Sequence, residues 1–180
     1  MLTTNYKADL AKQFYLTFEK DEVILWSDRP RLKVFLLNSC LKIFYHQLAF
    51  LGTFVFFGIL LSNRDDQWDV RGFIGVVAVF AAIESATVIR EALRLRKTTY
   101  LITNFSVLIL IDSQISFAKC INIRNIETKE IKRTIIDKKY QTSAIYLFSG
   151  ETFDNDGVEE KKYDILHGIT DAAYVLVLLE

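Results

Sequence analysis

The sequence predicts an α+β membrane protein, in which a two-helix transmembrane hairpin is followed by a curved antiparallel β-sheet closed by a C-terminal helix. Three observations predict this class. Residues 43–62 contain no Asp, Glu, Lys or Arg, residues 72–89 contain one charge, and residues 98–180 consist of short β-rich runs separated by turns. We therefore expect a cytoplasmic or interfacial segment at 1–42, a hairpin at 43–89 and a β domain at 98–180.

Composition argues against several other classes of protein. The 180 residues carry 22 Lys and Arg against 22 Asp and Glu, which disfavours a nucleic-acid binder and an acidic disordered chain. Cys40 and Cys120 are the only cysteines, too few for a disulfide scaffold, and two histidines leave little material for a metal site. No catalytic or cofactor-binding motif is present, so we expect no enzyme activity, no cofactor and no metal.

The two apolar runs are each long enough to cross a bilayer. Residues 43–62 would form a helix of about 30 Å, and residues 72–89 one of about 27 Å, close to the thickness of the hydrocarbon core. Glu84 is the one charge in the second run, and the polar segment 63–71 joins the two. The alternative is a pair of core helices in a soluble protein, which the length of the first run disfavours.

The distribution of basic residues predicts the orientation of the hairpin. Eight of them flank the outer ends of the spans and two lie in the connecting loop, so the positive-inside rule places both termini in the cytoplasm. We therefore expect a multi-pass protein of the inner, or plasma, membrane. The eight are Arg29, Arg31, Lys33, Lys42, Arg90, Arg94, Arg96 and Lys97, and the two are Arg64 and Arg71.

Alternating apolar and polar residues predict the strands. They are expected at 22–26, 98–103, 106–112, 118–126, 130–137, 143–150 and 161–166. Residues 138–140 are predicted as a turn and 151–160 as a solvated hairpin loop, and His167 is predicted as a loop residue.

A helix is predicted at the C-terminus, because Thr170 or Asp171 is a suitable N-cap for the apolar segment that follows. Its residues Ala172, Leu176 and Leu179 share a face by their spacing. That face is expected to close the open end of the sheet against the apolar side chains of Ile102, Leu108 and Ile121.

The order of several short motifs resembles a known family. WSDRP at 26–30 precedes the two spans, YLITN at 100–104 follows them, and ITD at 169–171 begins the last helix. In this order, over residues 20–180, the chain resembles the bacterial pleckstrin-homology-like (PH-like) family of two-span membrane proteins. The resemblance implies a membrane-anchored PH-like barrel and no particular reaction. Ser106 stands where that family usually has an arginine, so whatever that arginine does there is not expected here.

Two groups of residues are candidates for a site. His46 and Glu84 are expected at similar depth on adjacent spans, and a carboxyl in a span costs about 2.5–3.5 kcal/mol, which makes it a functional candidate by default. The simpler interpretation is a structural hydrogen bond that holds the hairpin together. Arg90, Arg94, Arg96 and Lys97 are candidates for contact with anionic lipids, or they serve the topology alone.

Two functions follow from these expectations. The first is a membrane-anchored interaction module, which binds an unidentified protein partner or serves assembly or stress responses, through a sheet edge or the mouth of the barrel. The second is an accessory subunit of a membrane transport or enzyme complex, in which His46 and Glu84 contribute to a polar path. The expected partners are membrane lipids and a protein, not nucleic acid, and a homo-oligomer is left open.

Overall fold

The computed structural model describes residues 12, 14, 21–61, 70–112, 117–155 and 158–180. The described part of the chain is α+β, with two antiparallel sheets and helices, as the sequence predicts at that level. It divides into two compact units, one formed by the residues up to Phe35 together with 94–180, and the other by 36–93. Most of segment 1–20, residue 62 of the first predicted span and residues 63–69 of the predicted loop lie outside the described residues.

The second unit is formed by two long helices, α1 (Leu32–Leu61) and α2 (Val70–Arg96). They run antiparallel, since the ring of Phe50 lies 5.4 Å from that of Phe80 while His46 contacts Glu84. Within the residues whose side chains are described, one segment, Leu32–Phe56, is long and apolar enough to cross a membrane. The second predicted span begins at Gly72, which lies outside those side chains.

Sheet A contains four strands in the order β1 (Ile24–Asp28), β2 (Thr98–Thr103), β3 (Ser106–Ile111) and β4 (Phe117–Asn122). Each pairs antiparallel with the next, so β1 and β2 are neighbours although two helices separate them in sequence. The strand predicted at 22–26 begins and ends two residues later, because pairing with β2 continues to Asp28, opposite Tyr100. β4 ends at Asn122, where its side chain caps a short 3₁₀ turn at 123–125.

Sheet B contains β5 (Thr128–Lys132), β6 (Ser143–Asn155) and β7 (Val158–Ile169) in that order. The strand predicted at 130–137 is wrong in its second half, where helix α3 (Ile135–Tyr140) begins, and the predicted turn at 138–140 lies in the same helix. The reason is a capping box. The Asp137 amide donates to Thr134 Oγ1 at 3.0 Å, while the Thr134 amide donates to the Asp137 carboxylate at 2.9 Å.

Strands β6 and β7 are longer than predicted. The segment expected as a loop at 151–160 continues the ladder, in which Thr152 pairs with Lys161 and Phe153 with Glu160. Its described side chains are exposed, so the two strands extend as a ribbon beyond the part of sheet B that covers the core. The predicted loop is therefore a two-stranded ribbon. Its strands are held by backbone hydrogen bonds, which acidic side chains do not prevent.

The C-terminal helix α4 (Ala172–Leu178) packs on the core between the sheets. Ala172, Val175 and Leu179 are at most 1% exposed, whereas Leu176 is only partly buried. The predicted face is therefore correct for Ala172 and Leu179, but its central residue is Val175. Of the predicted contacts, Ile102 and Ile121 belong to the same cluster of buried side chains.

Leu108 does not belong to that cluster, because successive residues of β3 point to opposite faces of the sheet. Val107 and Ile109 face the main core, and Leu108 faces the other side with Leu101 and Leu110. Phe14 of the N-terminal segment, 7% exposed, covers this second cluster. Sheet A is thus buried on both faces, which explains why β3 is a nearly continuous run of apolar residues.

Candidate functional site

The predicted polar pair is in contact between the two long helices. His46 Nδ1 lies 2.7 Å from Glu84 Oε1, and Gln47 Nε2 donates to Glu84 Oε2 at 3.4 Å. Both contacts are possible because His46 and Gln47 are adjacent in α1 and flank the side of this helix that faces α2. Gln47 Oε1 is buried without a hydrogen-bond partner among the described residues. These contacts link the two helices and leave one acceptor, Gln47 Oε1, without a partner among the described residues.

The predicted basic cluster lies at the C-terminal end of α2 and in the turn after it. Arg90, Arg94, Arg96 and Lys97 are exposed, while Leu95 between them is buried. The turn is held by backbone and hydroxyl groups, because Thr98 Oγ1 donates to the Arg94 carbonyl and the Asp112 amide donates to the Lys97 carbonyl. Basic side chains here also suit the negative end of the helix dipole, so their position by itself indicates no ligand.

A buried carboxylate that the sequence analysis missed lies beside the YLITN motif. Glu22 is 8% exposed, and its Oε1 accepts hydrogen bonds from Thr103 Oγ1 at 2.7 Å and from Ser106 Oγ at 3.2 Å. Ser106 is the residue at which this sequence departs from the pattern of the PH-like family. Its hydroxyl faces an acid here, and only the pairing of β1 with β2 brings the two together.

Asn104 joins the same segment to the turn between β2 and β3. Its Oδ1 accepts from the Val23 amide at 2.8 Å, its Nδ2 donates to the Asp21 carbonyl at 3.0 Å, and its own amide donates to the Val23 carbonyl. These bonds hold residues 21–23 against β2. The Asn of the motif therefore has a structural role in attaching the N-terminal segment to sheet A.

A second group of polar residues links the two sheets. Lys119 of β4 lies 2.8 Å from Asp164 of β7 and 3.8 Å from Glu151, which in turn lies 2.9 Å from Lys162. The hydrogen bond from Lys162 lowers the pKa of the Glu151 carboxyl, and the charges of Lys119 and Lys162 act in the same direction. The same contact raises the pKa of Lys162. The four side chains form an ion-pair network at the base of the ribbon.

The outer face of sheet B carries aromatic rings and lysines. The ring of Tyr163 lies 5.9 Å from that of Tyr146 and 5.7 Å from that of Phe148. Lys132 Nζ stands 4.3 Å from the centre of the Tyr146 ring, and Lys161 Nζ stands 4.8 Å from that of Phe148. Cation–π contacts of this kind stabilise the face and keep both lysines at the surface.

His167, which the sequence predicts in a loop, lies in β7 and contacts the start of α1. Its backbone amide donates to the hydroxyl of the buried Tyr100, and its ring packs edge-on against Phe35 at 5.5 Å. Lys33, in the same turn of α1, stands over the ring of Tyr140 in α3. The first turn of α1 is thereby packed on the β domain, and His167 serves this junction.

The described residues contain no group of three or more His, Cys, Asp or Glu side chains placed to hold a metal ion. Cys40 and Cys120 are exposed free thiols. No protein-family model matches the sequence, and neither the curated proteins nor the solved structures contain a significant match to the chain.

Proposed function

We propose that this chain is a membrane-anchored PH-like module of the inner, or plasma, membrane that binds a protein partner through its β domain and has no catalytic role. The observation that carries the proposal is the position of the apolar helix. Segment Leu32–Phe56, a candidate membrane span, begins four residues after β1, and β1 pairs directly with β2 on the far side of the insertion. The candidate span is therefore part of a segment that is inserted, in sequence, between two paired strands of the β domain.

Two features of the β domain support the PH-like assignment. Sheets of four and three antiparallel strands enclose a common core, and helix α4 closes it with Ala172, Val175 and Leu179. A core closed by a C-terminal helix supports the assignment, because the resemblance implies a curved sheet with a C-terminal plug. The hydrogen bonds from Asn104 to residues 21 and 23 give the asparagine of the YLITN motif a structural role, because they hold the N-terminal segment against sheet A.

The edges of the sheets are the places where a partner can add a strand. In the described part of the chain, β1 and β4 are the outer strands of sheet A, and β5 and β7 those of sheet B. A strand at the edge of a sheet offers backbone donors and acceptors to an extended segment of another protein. Leu25 of β1 is 41% exposed, and the Lys132 side chain of β5 is 54% exposed.

Site-specific photo-crosslinking in native membranes tests this function. A photoreactive residue is placed in the full chain at Leu25 or at Lys132. Val177 is the control, because it is 63% exposed and lies in helix α4 rather than in a strand. We expect adducts with a partner protein from an edge position and none from Val177. Adducts from Val177 alone, or none from the edges of a chain recovered intact in the membrane, would contradict strand addition.

Topology is tested separately with reporter fusions. The excess of basic residues outside the hairpin predicts that a reporter after residue 66 lies outside the cytoplasm and one after residue 180 lies inside it. A cytoplasmic signal from both positions would contradict the two-span arrangement while leaving the β domain unaffected.

The contact of His46 with Glu84 favours a second candidate function, an accessory subunit of a transport or enzyme complex. Glu84→Gln keeps the side-chain shape but removes the charge and replaces one acceptor oxygen with an NH2 donor. For an interaction module, membrane location and partner adducts should persist in this variant. For a subunit that handles protons or ions, the flux of the complex should be lost.

A further inference from the structure

Helix α3 is fixed to the β domain by one side. Asp137 is 4% exposed, and its carboxylate accepts hydrogen bonds from Thr134 Oγ1 at 2.7 Å and from Thr142 Oγ1 at 3.0 Å. The capping box adds a bond from the Thr134 amide to the same carboxylate. A buried acid with these partners holds the short helix in one orientation, so the residues on its other side form a defined surface.

The exposed side of α3 combines one bulky apolar residue with two lysines. Ile135 is 76% exposed, more than any other large hydrophobic residue in the described part of the chain. Lys138 and Lys139 are also exposed, and they follow Ile135 by three and four residues, so the three side chains share a face. Among the described residues neither lysine has an acidic partner. An apolar side chain beside basic ones is typical of helices that lie in the membrane interface.

The C-terminal end of α3 is in contact with the first turn of α1. Lys33 Nζ of α1 stands 5.4 Å from the centre of the Tyr140 ring. Lys33 is the second residue of Leu32–Phe56, the segment that is long and apolar enough to cross a membrane. The first turn of a spanning helix lies at the membrane surface, where tyrosine and lysine side chains are favoured. A helix packed against that turn lies at the level of the lipid headgroups.

The charge of the adjoining segment has the same sign. Residues 29–33 contain Arg29, Arg31 and Lys33 and no acid, in a chain whose 22 basic residues are balanced by 22 acidic ones. Positive charge at this level is complementary to the anionic headgroups of a membrane surface. A protein partner fits this face less well, because lysine is depleted in protein interfaces and one apolar side chain offers far less area than a stable interface buries.

We propose that the exposed face of α3, formed by Ile135, Lys138 and Lys139, binds the surface of an anionic bilayer beside the start of α1. Ile135 enters the boundary between headgroups and acyl chains, and the two lysines contact the anionic groups of the lipids. The inference rests on the proposed function, because only a membrane-spanning α1 brings α3 to a bilayer. A span and a second contact through α3 together limit the rotation of the β domain about its anchor.

Spin labelling of the full chain in lipid vesicles tests the contact. In a chain with Cys40→Ala and Cys120→Ala, a nitroxide is attached at Ile135→Cys, and its accessibility to oxygen is compared with that to a water-soluble nickel complex. We expect the label at headgroup depth in phosphatidylcholine vesicles that contain phosphatidylserine, and in water with phosphatidylcholine alone. Phe153→Cys is the matched control, because Phe153 is also apolar and exposed but lies roughly 33 Å along β6 from Ser143, near the end of α3. Its label should stay in water in both.

Charge removal in the Ile135→Cys chain tests the part played by the lysines. Lys138→Gln with Lys139→Gln should lower the ratio of membrane-bound to free label on the order of tenfold. The melting temperature should change little, because both side chains are exposed. Lys161→Gln with Lys162→Gln is the matched control, since it removes the same charge from β7 and should leave the ratio unchanged.

Carbonate extraction of the same vesicles distinguishes the two proposals. A chain released by carbonate would overturn the membrane anchor and, with it, the contact through α3. A chain that stays in the membrane, with a label at Ile135→Cys as accessible to nickel as the label at Phe153→Cys, would overturn the contact alone. Equal depth with and without phosphatidylserine, or with and without the two lysines, would overturn the recognition of anionic lipid.

Discussion

Gly168 of β7 lies against the backbone of Arg31, the residue before α1. A Cβ added at Gly168 would stand 2.6 Å from the Arg31 nitrogen, and Gly168 adopts a φ of +67°. Both facts require glycine, because such a contact cannot be relieved by moving a flexible side chain and L residues rarely adopt this φ. The end of β7 and the entry to α1 are therefore packed backbone to backbone.

Gly168→Ala should destabilise the β domain, by about 1–3 kcal/mol from the backbone conformation and by more from the contact with Arg31. The measurement is thermal unfolding of the full chain in detergent. Gly150→Ala is the matched control, since Gly150 has a φ of +84° but its Cβ would meet only the movable side chain of Glu127. Equal losses in the two variants would show that the Arg31 contact contributes nothing.

Leu179→Ala tests the closure of the core by α4. Leu179 is fully buried, and truncating a buried leucine typically costs about 2–5 kcal/mol. We expect a large fall in the melting temperature or complete unfolding of the β domain. Val177→Ala, at a position that is 63% exposed in the same helix, should leave it nearly unchanged. If the two variants melt alike, α4 does not close the core.

The hydrogen bond between Ser106 and Glu22 should be measurable as a coupling energy. A hydrogen bond typically contributes about 0.5–1.5 kcal/mol to stability, so Ser106→Ala and Glu22→Ala, each of which removes one partner, should each destabilise the chain. Together they should cost less than the sum of the two separate losses, because each removes the same contact. Denaturant unfolding of the two single variants and the double variant gives this value, and additive losses would show that the residues act independently.

The ion pair at the base of the ribbon predicts a shifted titration. The pKa of Glu151 is lowered, so its contribution to stability is present above the pKa of the unfolded chain and is lost as the pH falls through the folded value. The pKa of Lys162 is raised, so its contribution is present below its unfolded value and is lost as the pH rises through the folded one.

NMR titration of the Glu151 carboxyl should therefore give a midpoint below that of a reference peptide. Lys162→Met should move the midpoint up, because the Lys162 ammonium, whose hydrogen bond is the main cause of the lowered pKa of Glu151, is gone. Lys161→Met is the control, since Lys161 stands over Phe148. An unchanged midpoint in the Lys162 variant would contradict the pairing.

The β domain should fold without the long helices if β1 is kept. Asp28 pairs with Tyr100, so a short turn that joins residues 28 and 98 would convert β1 and β2 into an ordinary hairpin. We expect this shortened chain to show a β-rich circular dichroism spectrum and a cooperative transition. A fragment of residues 97–180 lacks β1, which pairs with β2 and packs against the second apolar cluster through Ile24, and it should be markedly less stable. The reverse order would contradict the role of β1 in sheet A.

Local patterns in the sequence determined much of this protein. Short apolar runs located β2 and β3 almost to the residue, because both strands are bounded by polar turns, and the spacing in α4 identified Ala172 and Leu179 as buried. Helical spacing and the lack of charge likewise predicted long helices and the meeting of His46 with Glu84. A capping signal at Thr134 was also present locally, but the apolar Ile135 and Ile136 made the segment look like a strand.

The pairing of these elements could not be predicted from local patterns and is known from the three-dimensional structure. One neighbour of β2 is β1, which both long helices separate from it in sequence. That pairing places the Glu22 carboxylate beside Ser106. It also moves Leu108 to a second apolar cluster and brings Gly168 against Arg31. Contacts between residues so distant in sequence leave no periodic signal, because they depend on backbone pairing and packing rather than on local conformational preference.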